Sequence, residues 1–340
     1  MSIAQPLPAD SPVATRLLVR PIAPADATAM RELFEEVFGH PMSPAMWTWK
    51  YEQQRGMAIG VWRGEKLVAH YGGVTREVLD AGQRVAAAQG ADAAVTPAER
   101  GVLTRKGAYF LAATRFHQDF MGFGARHLYG FGFPSERHYR LANKLGLYAA
   151  VDSITEFSFT ALAGRREWLG RWCTVIGETS LLLEHAALRR GVARAWQAMR
   201  QELAPLLLGV RDLDYLIHRY ARHPLHSYQI IALRAWPLGP INALAVVRTL
   251  PGQQLEWLDF VGSPRHLPRL ARAVQNHAGK CGLVRVFGWI TVSQQAYFAA
   301  AGASLTPTDI VVPANVWSQG PDPATQRDRW WLTSGDTDFR

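Results

Sequence analysis

One succession of hydrophobic patterns occurs twice in this 340-residue chain, and that repeat limits the fold more than any other feature. The first run predicts a strand at Leu17 to Ile22 and a helix from Pro24 to Phe38, stopped by Gly39. A hairpin follows, Met57 to Trp62 and Lys66 to Leu79, turned at Arg63-Gly64-Glu65, and then a strand from Arg84 to Val95. A polar loop, Thr96 to Gly107, leads into a helix at Ala108 to Met121, a strand at His127 to Phe133, a helix at Ser135 to Leu145 and a strand at Val151 to Leu162. A Trp- and Arg-rich connector and an amphipathic helix, Leu181 to Leu203, come next and read as a linker. The order then returns, with a helix at Asp212 to Arg222, strands at Tyr228 to Arg234, Ile241 to Leu250 and Leu255 to Val261, a helix at Leu267 to Ala278, a strand at Leu283 to Ile290, a helix at Ser293 to Ala301 and a strand near Asp309 to Val316.

Residue matches support the duplication. Lys50-Tyr51 and Arg219-Tyr220 end equivalent helices 169 residues apart, and Asp92 and Asp259 lie 167 apart in the last hairpin strand. Phe131-Gly132-Phe133 and Phe287-Gly288-Trp289 then match at 156, so the second copy lacks 11 residues between Asp259 and Gly288. The division expected is a leader at 1–16, a first domain at 17–163, a linker at 164–209, a second domain at 210–318 and a tail at 319–340. Two domains of this size each bury a core without disulfides.

Composition narrows the function. With 48% hydrophobic and 19% charged residues, and no apolar run near the ~20 residues of a membrane span, the chain reads as globular with no membrane segment. Met1 to Pro12 lacks a basic start and an apolar core, so it reads as a loose leader and not a signal peptide. Cys173 and Cys281 are too far apart for a zinc module or disulfide framework, and a cytoplasmic location is expected. The net charge of +9 suggests nucleic acid, but only five of the 37 basic residues are lysines and no long basic run exists. A small anion needs only one cluster, such as Arg100 to Lys106. His218, His223 and His226 are interrupted by Pro224, which argues against a metal site, and none is expected. The pair Trp330-Trp331 can anchor the tail on the body, or line an acceptor groove or a partner interface.

Two stretches of the first copy resemble the GNAT family of acyl-CoA-dependent N-acyltransferases. Val95-Thr96-Pro97-Ala98-Glu99-Arg100-Gly101 is similar to the family's Val-x-Pro-x-x-Arg-Gly signature, and Gly132-Phe133-Pro134-Ser135-Glu136-Arg137 with Leu145-Gly146-Leu147-Tyr148 is similar to its later strand and helix. The resemblance covers residues 17–160, and 210–316 by topology only. It implies an α/β (α+β) fold of two GNAT-like domains, each a mixed, mostly antiparallel twisted sheet flanked by helices.

Acetyl-CoA or another acyl-CoA would be the co-substrate, its pyrophosphate at a helix N-terminus where backbone N–H groups and the dipole favour an anion. Val95, Arg100, Arg105, Lys106, Gly107, Ala108 and Ser135 are the residues the resemblance assigns to it. Thr104 and Tyr109 depart from the family's Gln/Arg-x-x-Gly-x-Gly/Ala loop, and Gly107 falls later than usual. Backbone N–H near Val95 would stabilise the oxyanion. Asp92, Glu77 and His70 are candidate bases for a primary amine on a small-molecule acceptor. The family's Tyr acid would fall at Ala142, with Tyr139 one turn earlier as a substitute.

The second copy, having lost the loop, would keep a structural or substrate-shaping role. Two other readings stay open: an aminoacyl-tRNA-dependent transferase in which Arg189, Arg190, Arg194 and Arg200 meet RNA, and a non-catalytic scaffold. The oligomeric state and the acceptor's identity are undetermined.

Overall fold

The computed structural model describes residues 16–52, 55–101, 104–162 and 174–337. Most of the leader, the Trp- and Arg-rich connector and Cys173 lie outside them.

The first repeat contains β1 (Leu17–Pro21), α1 (Ala27–Phe38), α2 (Pro44–Tyr51), β2 (Gly56–Arg63), β3 (Lys66–Asp80), β4 (Gln83–Val95), α3 (Ala108–Phe120), β5 (Tyr129–Phe131), α4 (Glu136–Lys144) and β6 (Tyr148–Thr160). Local chemistry sets several boundaries. Gly39 ends α1 with φ of 76°, and Ser43 starts α2 by accepting a hydrogen bond from Met46 N at 3.1 Å, with Pro44 in the first turn. Ala81 and Gly82, both at positive φ, make the tight turn between β3 and β4.

The second repeat contains β7 (Thr174–Glu178), α5 (Ala186–Glu202), β8 (Leu207–Gly209), α6 (Leu213–Leu216) running into a π turn at Ile217–Ala221, β9 (Gln229–Arg234), β10 (Ile241–Leu250), β11 (Gln254–Gly262), α7 (Leu267–Lys280), β12 (Arg285–Thr291), α8 (Gln295–Ala300) and β13 (Ser304–Asn315). The tail adds α9 (Pro323–Gln326) and β14 (Trp330–Trp331).

Two mixed sheets result, each flanked by helices. One runs β1-β2-β3-β4-β5, with β8 on the far half of β3 and β14 on β8; the other runs β7-β9-β10-β11-β12-β6-β13. Within the repeats β4 pairs with β5, and β11 with β12, in parallel; the other ladders of the two main paths are antiparallel.

The helix read as a linker has a different place. α5 packs on β10 and β11 as α1 packs on β3 and β4, and β7 pairs with β9 as β1 pairs with β2. The second repeat therefore begins at β7, and α5 is its first helix. Five residues, Thr-Val-Ile-Gly-Glu, on a half-exposed sheet edge carry too little hydrophobic alternation to announce a strand.

The final strands are exchanged. β6, which closes the first repeat in sequence, lies between β12 and β13 of the second sheet. β13 returns the exchange: its last residues, Val311 to Asn315, pair with the start of β6 and run beside β5, where Val311 N donates to Pro134 O at 3.2 Å. Trp330 and Trp331 are fully buried, so the tail is anchored on the body, one of the roles open to them in sequence. Among the described residues no helix is long and apolar enough to cross a membrane.

Candidate active site

β4 and β5 pair only at Ala87 to Gln89 against Tyr129 to Phe131, and then diverge. Just past the fork β4 carries a bulge. Gly72 faces Ala91 and His70 faces Ala94, so Asp92 and Ala93 together oppose one residue of β3, and Asp92 adopts φ of 49°. His70 Nδ1 lies 2.8 Å from the carbonyl oxygen of Asp92, an acceptor only, so that nitrogen carries the proton. In a trans peptide the N–H points opposite to the C=O, which turns the Ala93 N–H away from His70. Thr96 N donates to Val68 O at 3.0 Å, which makes Val95–Ala69 a non-hydrogen-bonded pair of the ladder. The backbone N–H groups of Ala93 and of Val95, the position read from sequence, therefore both turn away from β3.

A cavity of about 510 Å³ passes through the sheet at this fork. Phe34, Phe38, Met42 and Met46 line it on the α1–α2 side, and Phe116, His117, Met121 and Tyr148 on the α3 side. Gly90, Gly130 and Gly132 form part of the wall; a Cβ on Gly132 would have no neighbour nearer than 3.8 Å. The second repeat contributes His223, Leu225 and His226.

Asp92 is the cavity's one carboxylate among the described residues, and α2 holds it: Lys50 Nζ donates at 2.8 Å and Tyr51 Oη at 2.6 Å. Burial pushes its pKa up, but the Lys50 ammonium and the two hydrogen bonds outweigh this and keep it below the usual carboxylate range. Across the fork Tyr71 and Tyr148 share a hydrogen bond, and burial raises both phenols well above their ordinary value. His117 is buried, neither ring nitrogen has a partner among the described residues, and burial lowers its pKa to about 3. His138 Nε2 meets Tyr109 Oη at 2.9 Å, joining α4 to the start of α3.

Of the three base candidates only Asp92 lines the cavity. Glu77 sits at the other end of β3, half exposed and bound to Arg84 at 2.6 Å. His70 is buried beside the bulge. Tyr139, the candidate acid, is not part of the cavity wall; its hydroxyl accepts from Ala150 N at 3.0 Å. Ser135 caps α4. Arg100 donates from Nε to Val95 O at 2.9 Å, Arg105 and Lys106 are exposed, and Gly107 precedes Ala108 at the N-terminus of α3, which has no side-chain cap. These loop residues stand beside the cavity and not in its wall. Sequence reasoning missed Tyr71, His117, His138 and Tyr148. Lys50 was singled out only through its match with Arg219, because its partner lies 42 residues away.

Parallel strands parting at a bulge, with a helix N-terminus at the end of the longer strand, define the fold of the acyl-CoA-dependent N-acyltransferases. Residues 18–114 match the family model of the acetyltransferase (GNAT) domain. Solved structures share the fold over 89% of this chain. One is an Enterococcus faecalis V583 protein described as conserved, of unknown function and a probable N-acyltransferase (13% identity, 73% of its length, TM-score 0.63). The others are GCN5-related N-acetyltransferases from Kribbella flavida (16%, 71%, 0.60) and Anabaena variabilis ATCC 29413 (13%, 73%, 0.59). No curated protein matches the sequence.

Proposed function

We propose that the first repeat transfers an acyl group, acetyl in the simplest case, from acyl-CoA to a primary amine. The observation that carries this is the cavity crossing the sheet at the β4 bulge, with the basic loop Arg105-Lys106-Gly107 and the open N-terminus of α3 beside it. The family match over residues 18–114 supports the same reading.

The acceptor nitrogen attacks the thioester carbonyl, the N–C bond forms, the C–S bond breaks, and the ammonium proton leaves to water. The thiolate collects a proton as free CoA. Ala93 N–H faces the developing oxyanion, and His70 acts on it indirectly by holding the Asp92 carbonyl. Asp92, kept ionised by Lys50, accepts a proton poorly, so its role is to tie α2 to the bulge. The Tyr71–Tyr148 pair stays protonated at neutral pH and offers a hydroxyl to the departing sulfur. Arg105, Lys106 and the free N–H groups of α3 would receive the pyrophosphate.

Isothermal titration with acetyl-CoA tests the reading. Wild type binds, and Lys106→Ala weakens binding about fivefold, the effect of one exposed charge near a helix N-terminus. Absence of heat across the accessible concentration range would remove acyl-CoA from the function.

A further inference from the structure

The charge and shape of the cavity say which amines it takes. Its wall contains one cation and one formal anion, Lys50 and Asp92, and these are paired with each other at 2.8 Å. Among the described residues no second carboxylate faces the space; the remaining titratable groups of the wall are tyrosines and five histidines, His40, His117, His138, His223 and His226. An acceptor carrying several ammonium groups would therefore bury charges without counter-charges, which is costly in a low-dielectric site.

The rim is apolar and aromatic. Phe34 and Phe38 lie 4.6 Å apart between ring centroids, with His40 against Phe34 at 5.2 Å. Across the opening the second repeat presents Leu225 between His223 and His226, whose rings stack at 5.0 Å. Phe38 and Leu225 are 43% and 55% exposed, so both present apolar surface to whatever enters this rim. They approach the same opening from the two repeats.

We infer that the acceptor is a monoamine with an apolar, aromatic body, held between the α1–α2 segment and the His223–His226 loop, and that polycationic amines are excluded. This rests on the transfer reading for its chemistry, but its recognition step is tested separately. The second repeat thereby supplies half of the acceptor site. The single ammonium gives its proton to water on entry, and the ring system replaces water over Phe38 and Leu225.

The experiment titrates the full chain with tryptamine and with spermidine at physiological salt, and follows thiol release from acetyl-CoA with each. Tryptamine is expected to bind at least tenfold more tightly and to be the better acceptor by a similar factor in kcat/KM. Phe38→Ala and Leu225→Ala, both at exposed positions on different repeats, each weaken tryptamine roughly tenfold and leave spermidine unchanged. Leu225→Asp, which adds the missing carboxylate, narrows the preference by improving spermidine.

Spermidine binding as tight as tryptamine, or indifference of tryptamine affinity to both alanine variants, overturns the inference. Preferential tryptamine binding without thiol release would leave this recognition intact and overturn the transfer reading. Thiol release favouring spermidine would do the reverse.

Discussion

The two forks of this molecule share a plan and differ in what surrounds their acidic residue. Tyr51 donates to Asp92 in the first repeat, and Tyr220 donates to Asp259 at 2.7 Å in the second. Around Asp92 there is a cavity. Around Asp259 there is protein: Arg211 and Thr333 bind one oxygen, Tyr215 and Tyr220 the other, and Arg211 continues to Asp336. Arg219, the counterpart of Lys50, donates to the carbonyls of Gly335 and Thr337. The fork of β11 and β12 is thus filled by the C-terminal tail, which joins β12 through Ile290–Thr333 and the bond from Trp289 N to Ser334 Oγ. An acid–tyrosine pair becomes a site or a core according to what the rest of the chain lays over it.

Breaking the ion pairs gives the largest difference. Arg211→Met leaves Asp259 and Asp336 buried together without the cation bonded to both, and should cost about 3–5 kcal/mol in chemical denaturation. Lys50→Met uncovers a carboxylate that still has Tyr51 and an open cavity, and should cost less than half as much. Equal losses would mean the first fork is as sealed as the second.

The matched glycines sharpen the comparison next. At Gly288 a Cβ would overlap the Trp257 carbonyl oxygen and come within 2.6 Å of Phe157, because β12 is clamped between β11 and β6. Gly288→Ala should lower stability by about 1–3 kcal/mol, whereas Gly132→Ala should be nearly neutral in the same melting experiment. Gly132→Ala should still raise the KM for acceptor, since its Cβ enters the cavity.

The smallest effect is in acid. His117 on α3 has no hydrogen-bond partner among the described residues, while His277 on α7 meets Gln229 Oε1 at 3.1 Å. The folded pKa of His117 is about 3 against 6.5 when unfolded, so its contribution is fully present above 6.5 and is lost as pH falls from there toward 3. Wild type should be about 1 kcal/mol less stable near pH 6 than near pH 7.5 from this group alone. His117→Leu should flatten that slope, as followed by urea midpoints.

Much of this was legible in the chain. The repeat, the β3–β4 hairpin, the α3 start and the Asp92–Asp259 match follow from periodicity and spacing. Glu77 and Tyr139 misled because a position along a strand or helix does not say whether a side chain reaches a cavity or binds a neighbour such as Arg84 or Ala150. The linker reading of α5 failed because amphipathicity reveals that a helix is packed, not which sheet it packs on.

By itself the sequence determined two copies of one α/β succession, with the basic loop in only one of them, since hydrophobic period and turn residues act over a few positions. Only the tertiary structure decided that β6 and β13 change places, that Lys50 neutralises Asp92, and that residues 333–337 close the second fork. Those contacts join segments from about 40 to more than 150 positions apart, and their energies depend on burial and on which charges meet, neither of which is written in local pattern.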